Sequence, residues 1–335
     1  MKEIKDPHDR FFKETFSKKE AAIDFLRNYL PPQVIGIFDL SSVELVKDTF
    51  VDKELQAYYS DLLYRVGLSD GNFAYVYVLF EHKSYPDVMV SFQLLRYQVK
   101  IWEYMLKQGY QLLPILPLVV YHGKKKWDIG LNFQELIKAP AVLNEYMVNY
   151  RYCLCDLSDY EDSEIKGAAL LQVALLVMKY IYFDELKDRL PGIFKLFVEL
   201  SKNQRGLDFV ESVFRYLMSG TDKITEQDLK KVTETVLTEG GTLMPTIAQK
   251  YLDQGVEIGR KEGWQEGRQE GRQEGWQQGL IDGIEIVLEL KFGMEGLSEL
   301  PVIRKIEDPN LLRAIRDGLR TAKSLNELRR IYRNR

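Results

Sequence analysis

Two cysteines and three histidines in 335 residues close off several chemistries at once. Cys153 and Cys155 stand too near each other in one extended stretch to bridge without strain. So few thiols and imidazoles cannot assemble a Cys/His zinc centre. The pair reads instead as two reduced residues on one face of a strand. A long apolar run is missing too. The most apolar helix candidate, residues 168–182, is too short to span a bilayer and is interrupted by Gln172 and Lys179. Residues 1–6 contain no apolar signal core, so a cytoplasmic protein without membrane association is expected. Excess positive charge is also lacking. A formal net charge of -4 leaves no global basic footprint, and any contact with nucleic acid must rest on local patches.

What remains is the composition of a folded globular chain, 45% hydrophobic and 29% charged, long enough for a large domain with appendages. Pro7-His8-Asp9 opens a helical pattern with Asp9 as a natural N-cap. Its apolar positions are Phe12, Phe16, Phe25, Leu26 and Leu30, and Pro31-Pro32 stops it. Strands are predicted over residues 35–50, 58–66 and 73–83, with a turn at Asp70-Gly71. Residues 87–108 have helical spacing, residues 112–121 read as a buried strand, and residues 145–155 suggest one more. A helix crossing from the third strand to the fourth lets them pair in parallel. The expectation is an α/β fold with a mixed sheet flanked by helices, followed by an all-α C-terminal region. The divisions expected are a core over residues 1–160, a helical region over 161–253, an unusual segment over 254–283 and a small helical module over 284–335.

In that unusual segment glycine recurs every fourth residue from Gly255 to Gly283. An isolated helix of this kind is poor, because each interior glycine costs about 1 kcal/mol relative to alanine. Two readings compete. The stripe permits close approach of another helix, such as its own copy in a homodimer through residues 255–283, or the segment is a solvated linker. Trp264 and Trp276, otherwise exposed, favour packing.

The chemistry centres on Asp61 and on Glu81-His82-Lys83, at the ends of two adjacent predicted strands. Alternation sends Glu81 and Lys83 the same way. If Asp61 joins them, two carboxylates and an ammonium converge, which suits Mg²⁺ binding and water activation. A two-residue turn sets Asp61 facing away from Glu81; an odd loop or a bulge pairs the two. The catalytic reading needs the odd spacing. His122, at a strand end, reads as a structural histidine in preference to a catalytic one. Lys100, Lys107 and Lys124-Lys125-Lys126 are local cations able to follow a phosphate backbone or to serve as ordinary surface.

Five blocks, Pro7-His8-Asp9 with Phe12-Lys13, Ser60 to Tyr64, Leu79 to Ser84, Leu95-Arg96-Tyr97 and Pro117 to Gly123, together resemble the Rpn family of recombination-promoting nucleases, within the PD-(D/E)XK nuclease superfamily. The resemblance covers roughly residues 5–240. It implies a restriction-endonuclease-like core and Mg²⁺-dependent (or Mn²⁺-dependent) cleavage of DNA. By that likeness Asp61 and Glu81 are metal ligands, with the backbone carbonyl of His82 a third and Asp9 a further acid. Lys83 orients the attacking water, and Gln93 with Tyr97 lines the site. Ser60 replaces the proline of the superfamily's name. Many relatives carry glutamine where Lys83 stands, so this chain is nearer the active superfamily pattern.

Overall fold

The computed structural model describes residues 6–46, 62–81, 85–200, 203–237, 244–304, 306, 308–322 and 324–332. These form two compact units, Met1–Gly263 and Trp264–Arg335. Among the described residues, no helix is long and apolar enough to cross a membrane.

The first unit begins with α1 (Pro7–Phe16) and α2 (Lys19–Tyr29), then the single turn α3 (Pro32–Ile35). The expected N-cap at Asp9 is corrected to Asp6, whose carboxylate accepts from the backbone N–H of His8 at 2.8 Å and Asp9 at 3.4 Å. Pro7 explains the shift: without an N–H it fits the first helical position, so the cap falls one residue earlier. The single helical pattern read toward Pro31 is also two helices, parted at Ser17-Lys18.

A five-stranded mixed sheet follows, in spatial order β1 (Phe38–Leu45), β2 (Leu62–Leu68), β3 (Phe73–Glu81), β4 (Ile115–Tyr121) and β5 (Cys153–Asp156). The first three are antiparallel. The 18-residue helix α4 (Val90–Lys107) then crosses over, and β3, β4 and β5 are parallel, as the sequence implied. Pro117 is tolerated inside β4 because β5 begins pairing only at Leu118.

The β2–β3 hairpin fixes the geometry of everything after it. Leu68 N–H donates to Asn72 C=O at 2.8 Å and Gly71 N–H to Leu68 C=O at 3.0 Å, closing a three-residue loop over residues 69–71. Gly71 takes φ 86°, the left-handed conformation this loop type needs and glycine supplies without strain. Asp70 accepts from the Asn72 N–H at 2.9 Å. The ladder pairs Leu63 with Tyr77 and Arg65 with Tyr75. A register setting position 61 opposite Glu81 would pair Leu63 with Leu79, so the ladder lies two residues from that alignment. Its parity is nevertheless the odd-with-odd match.

Alternation sorts the sheet into two faces. Leu63, Tyr75, Tyr77, Leu79, Val119 and Tyr121 pack under α4, against Leu94, Tyr97, Ile101 and Met105. The even positions Tyr64, Val76, Val78, Phe80, Leu118 and Val120 face α1 and α2 and a set of later helices: α5 (Ala169–Tyr180), α6 (Leu186–Lys195), α7 (Phe197–Leu200), α8 (Gln204–Ser219) and α9 (Glu226–Leu237). Cys155 is buried on this face with Cys153 packed beside it, both free thiols.

The glycine stripe lies in α10 (Met244–Leu297), which kinks at Gly293. Its first members explain themselves. A Cβ on Gly255 would meet Glu211 C=O at 2.8 Å, and one on Gly259 would meet Arg215 C=O at 2.6 Å. The helix approached there is α8 of the same chain. From Gly267 to Gly283 a Cβ on any stripe glycine would meet nothing within 4 Å, and Trp264 is 64% exposed. The second unit holds the rest of α10 with α11 (Leu300–Ile303), α12 (Pro309–Thr321) and α13 (Leu325–Tyr332) around Ile284, Leu288, Leu312, Ile315 and Leu328. Its buried Glu299 carboxylate receives Arg329 Nε at 3.0 Å and the Tyr332 hydroxyl at 2.5 Å.

The stripe therefore divides into tight and open positions. Gly259→Ala should destabilise the first unit by about 1–3 kcal/mol through a backbone clash. Gly271→Ala should instead stabilise its helix by about 0.5–1 kcal/mol. Urea unfolding followed by circular dichroism separates the two, and equal effects would contradict this division.

Candidate active site at the carboxyl ends of the parallel strands

In open α/β sheets the ends of parallel strands beside a crossover form a natural crevice. Here three polar residues stand in one row: Glu81 ends β3, Tyr121 pairs with it on β4, and Asp156 pairs with Tyr121 on β5. All three follow the alternation of Leu79 and Val119 toward the α4 face. Glu81 is 5% exposed and Asp156 is 4% exposed.

The two carboxylates stand on either side of Tyr121 in the row. Asp156 accepts from Trp127 N–H at 3.0 Å, Ser158 N–H at 2.9 Å and Ser158 Oγ at 2.8 Å, so it holds the turns beyond the sheet. Between them, the Tyr121 hydroxyl donates to Lys125 C=O at 2.7 Å. Burial, then the nearby charges of Asp156 and Glu81, push the Tyr121 phenol up to about 12. At neutral pH it is a neutral donor and not a base.

Helix α4 closes this face. Tyr97 is buried and its ring stacks on Tyr77 at 5.0 Å between centroids. As a crossover helix, α4 returns antiparallel to β3, so Gln93, one turn before Tyr97, lies nearer the strand end that carries Glu81. The Gln93 amide nitrogen is buried without a hydrogen-bond partner among the described residues. An orphaned buried donor costs about 1–3 kcal/mol, so this amide stands out on a helix that is otherwise well packed.

Across the sheet edge, an aromatic cluster brings in distant segments. His122 is 1% exposed; its Nδ1 bonds to Met178 C=O at 3.1 Å, and its ring stacks on Phe80 at 4.8 Å and Tyr182 at 5.2 Å. That is a packed structural histidine. His8 Nδ1 shares a 2.7 Å hydrogen bond with the Tyr216 hydroxyl, linking α1 to α8, and its ring lies 4.9 Å from Tyr182. Burial raises the Tyr182 phenol above its ordinary value, and the carboxylates of Asp6, Asp9 and Glu81 raise it further. Lys124 Nζ lies 6.0 Å from the centre of the Tyr182 ring, whereas Lys126 is paired with Asp159 at 3.0 Å.

Of the residues singled out in the sequence, Glu81 ends β3, Gln93 and Tyr97 lie on α4, and Asp9 lies in the first turn of α1. Asp61, His82 and Lys83 lie outside the described residues. Among the described residues, no three of His, Cys, Asp and Glu gather as a metal cluster. The donors that are described, the carboxylates of Glu81 and Asp9, are hard oxygen ligands of the kind Mg²⁺ takes. Sequence reasoning gave Tyr182, Tyr216 and Asp156 no part in the neighbourhood. No local pattern could have found the first two, since they arrive from helices far along the chain.

The model of the family described as "Putative transposase, YhgA-like" matches residues 6–208, more than half of the sequence. The chain belongs to the YhgA-like family. Its similar relatives include an Escherichia coli K12 protein named inactive recombination-promoting nuclease-like protein RpnE, 30% identical over 261 residues, covering 77% of this chain and 85% of that one. Recombination-promoting nuclease RpnA of the same strain is 26% identical over 257 residues (76% and 86%), and RpnC is 29% identical over 254 residues (75% and 82%). No solved structure matches the chain. The family match ends at residue 208, within α8, so this YhgA-like chain carries the sheet, the crossover helix and the first covering helices inside the matched part.

The His8–Tyr216 bond ties the neighbourhood to its helical cover. Tyr216→Phe should lower stability by about 1–3 kcal/mol by stranding a buried imidazole nitrogen. A urea midpoint equal to the parent's would show that the bond contributes nothing.

Proposed function

We propose that this chain is a metal-dependent DNA endonuclease that hydrolyses phosphodiester bonds, as the names of RpnA and RpnC suggest for recombination-promoting relatives. The observation that carries the reading is the Glu81 carboxylate, buried where β3 ends beside the ends of the parallel strands β4 and β5. Asp61, Glu81 and the His82 carbonyl would hold Mg²⁺ (or Mn²⁺), with Asp9 as a further acid. The hairpin supports the set as far as it is described: it closes with the odd, three-residue loop that the catalytic reading needs. When bound, the ion supplies a Lewis acid for the phosphate and acidifies a water. Lys83 orients the attacking water and offsets charge developing on the phosphate. Gln93 donates its amide N–H to a bound oxygen, and Lys124 meets the phosphate backbone at the rim.

A second reading has a specific basis, since RpnE, at 30% identity, is named inactive. In that case the chain keeps the nuclease architecture and associates with DNA without turnover.

Plasmid DNA decides between them. The purified chain should nick supercoiled plasmid with Mg²⁺ or Mn²⁺ and stop when the ion is chelated. Asp61→Ala and Glu81→Ala should each lower the rate by at least about 100-fold while circular dichroism stays unchanged. Cutting by both variants at the parent's rate would sink the site assignment. Salt-dependent retention of DNA with no nicking by the parent would establish the inactive reading.

A further inference from the structure

Helix α4 buries one face against the sheet, and the face it turns outward is not polar. Met89, Phe92, Val99, Leu106 and Tyr110 are exposed to between 41% and 61%. With the exposed Arg96 and Glu103 they fall at alternating intervals of three and four residues, from the N-cap of α4 to just past its end. That is heptad spacing, which keeps a single seam on one side of a helix. Monomeric proteins seldom leave so continuous an apolar line in water.

We infer that this seam is a self-association surface on which α4 packs antiparallel against α4 of a second copy. The order of its residues points to that occupant. Reversed about Val99, the seam sets Phe92 opposite Leu106 and Arg96 opposite Glu103. Arg96 and Glu103 are seven residues apart, about 10.5 Å along a helix. One two-fold axis at Val99 therefore satisfies two cross-copy ion pairs at once and makes the contact isologous. A parallel pairing would set arginine against arginine and glutamate against glutamate. Within one copy Glu103 has only the exposed Lys100 at 3.5 Å, an i,i+3 contact of little strength, so it is available to a stronger partner. Five apolar side chains are no use to a phosphate backbone, and a glutamate in mid-seam is unsuited to an anionic membrane. A second copy uses both.

The inference stands whether or not the chain cuts DNA, and it differs from association through the glycine stripe. If the catalytic reading holds, the same helix presents Gln93 to the site, so pairing relates two sites by the two-fold axis.

Charge reversal on the full-length chain tests it by sedimentation equilibrium. The parent should show a concentration-dependent dimer. Arg96→Glu sets glutamate 96 against Glu103 of the other copy, and Glu103→Arg sets arginine against Arg96; each should weaken dimerisation at least tenfold. Mixing these two variants should restore it, because both cross-copy pairs become opposite in sign. The double variant Arg96→Glu, Glu103→Arg should dimerise like the parent. A parent that stays monomeric at all concentrations would overturn the proposal, as would single variants that dimerise fully or a mixture that recovers nothing. Circular dichroism of each variant guards against loss by misfolding, and the restored mixture excludes it.

Discussion

The parity of one hairpin governs the functional geometry of this chain. Side chains along a strand alternate faces, so a one-residue slip between β2 and β3 would exchange the contents of the two cores. The three-residue loop closed by Gly71 forbids that slip. It sends Leu63, Tyr75, Tyr77 and Leu79 under the crossover helix and their even neighbours toward α1 and α5. Glu81 inherits its direction from this choice. It arrives on the α4 side because Tyr77 and Leu79 do, and its burial follows from the helix that covers them.

The helices after the sheet belong to the same argument. Their apolar faces join the even-numbered face of the sheet in one continuous core that runs from Phe11 to Val256. That core positions chemistry as well as supplying stability. Tyr182 and Tyr216 reach the sheet edge only because α5 and α8 pack there, and α8 is in turn gripped by α10 through Gly255 and Gly259. Arg10 of α1 meets Glu262 of α10 at 3.0 Å, a half-buried contact that spans nearly the whole unit in sequence.

How much of this was legible in the sequence depends on range. The strands, the crossover helix and the parallel pairing could be read because each leaves a local period and the crossover leaves no other topology. The odd loop at Asp70-Gly71 could be foreseen as necessary for catalysis, but its choice over a two-residue turn lies in the Asp70–Asn72 hydrogen bonds, which composition does not dictate. Asp9 looked like a cap because it stands at the head of an apolar pattern; the true cap, Asp6, was hidden by a proline that belongs inside the helix. The glycine stripe was legible as a close-approach surface, whereas its partner α8 was not, since helix docking depends on contacts 40 residues away. The aromatic cluster was the least legible. His8, Phe80, His122, Tyr182 and Tyr216 come from five separate segments, and nothing in the neighbourhood of any one announces the others.

The electrostatics around Glu81 decide what an anionic substrate would meet at this end of the sheet. Two phenols flank Glu81, and both are driven up. Tyr121 feels Asp156 and Glu81 after its own burial, and Tyr182 feels Asp6, Asp9 and Glu81. Both stay neutral at pH 7 and neither relieves the negative potential. Lys124, a described cation, has its Nζ 6.0 Å from the centre of the Tyr182 ring. A phosphodiester brought to Glu81 therefore meets like charge in a place where burial weakens solvent screening. The chain's net charge of -4 gives no compensating field at longer range. The proposed Mg²⁺ would answer that repulsion, because positive charge held at Glu81 would let a phosphodiester approach the carboxylate.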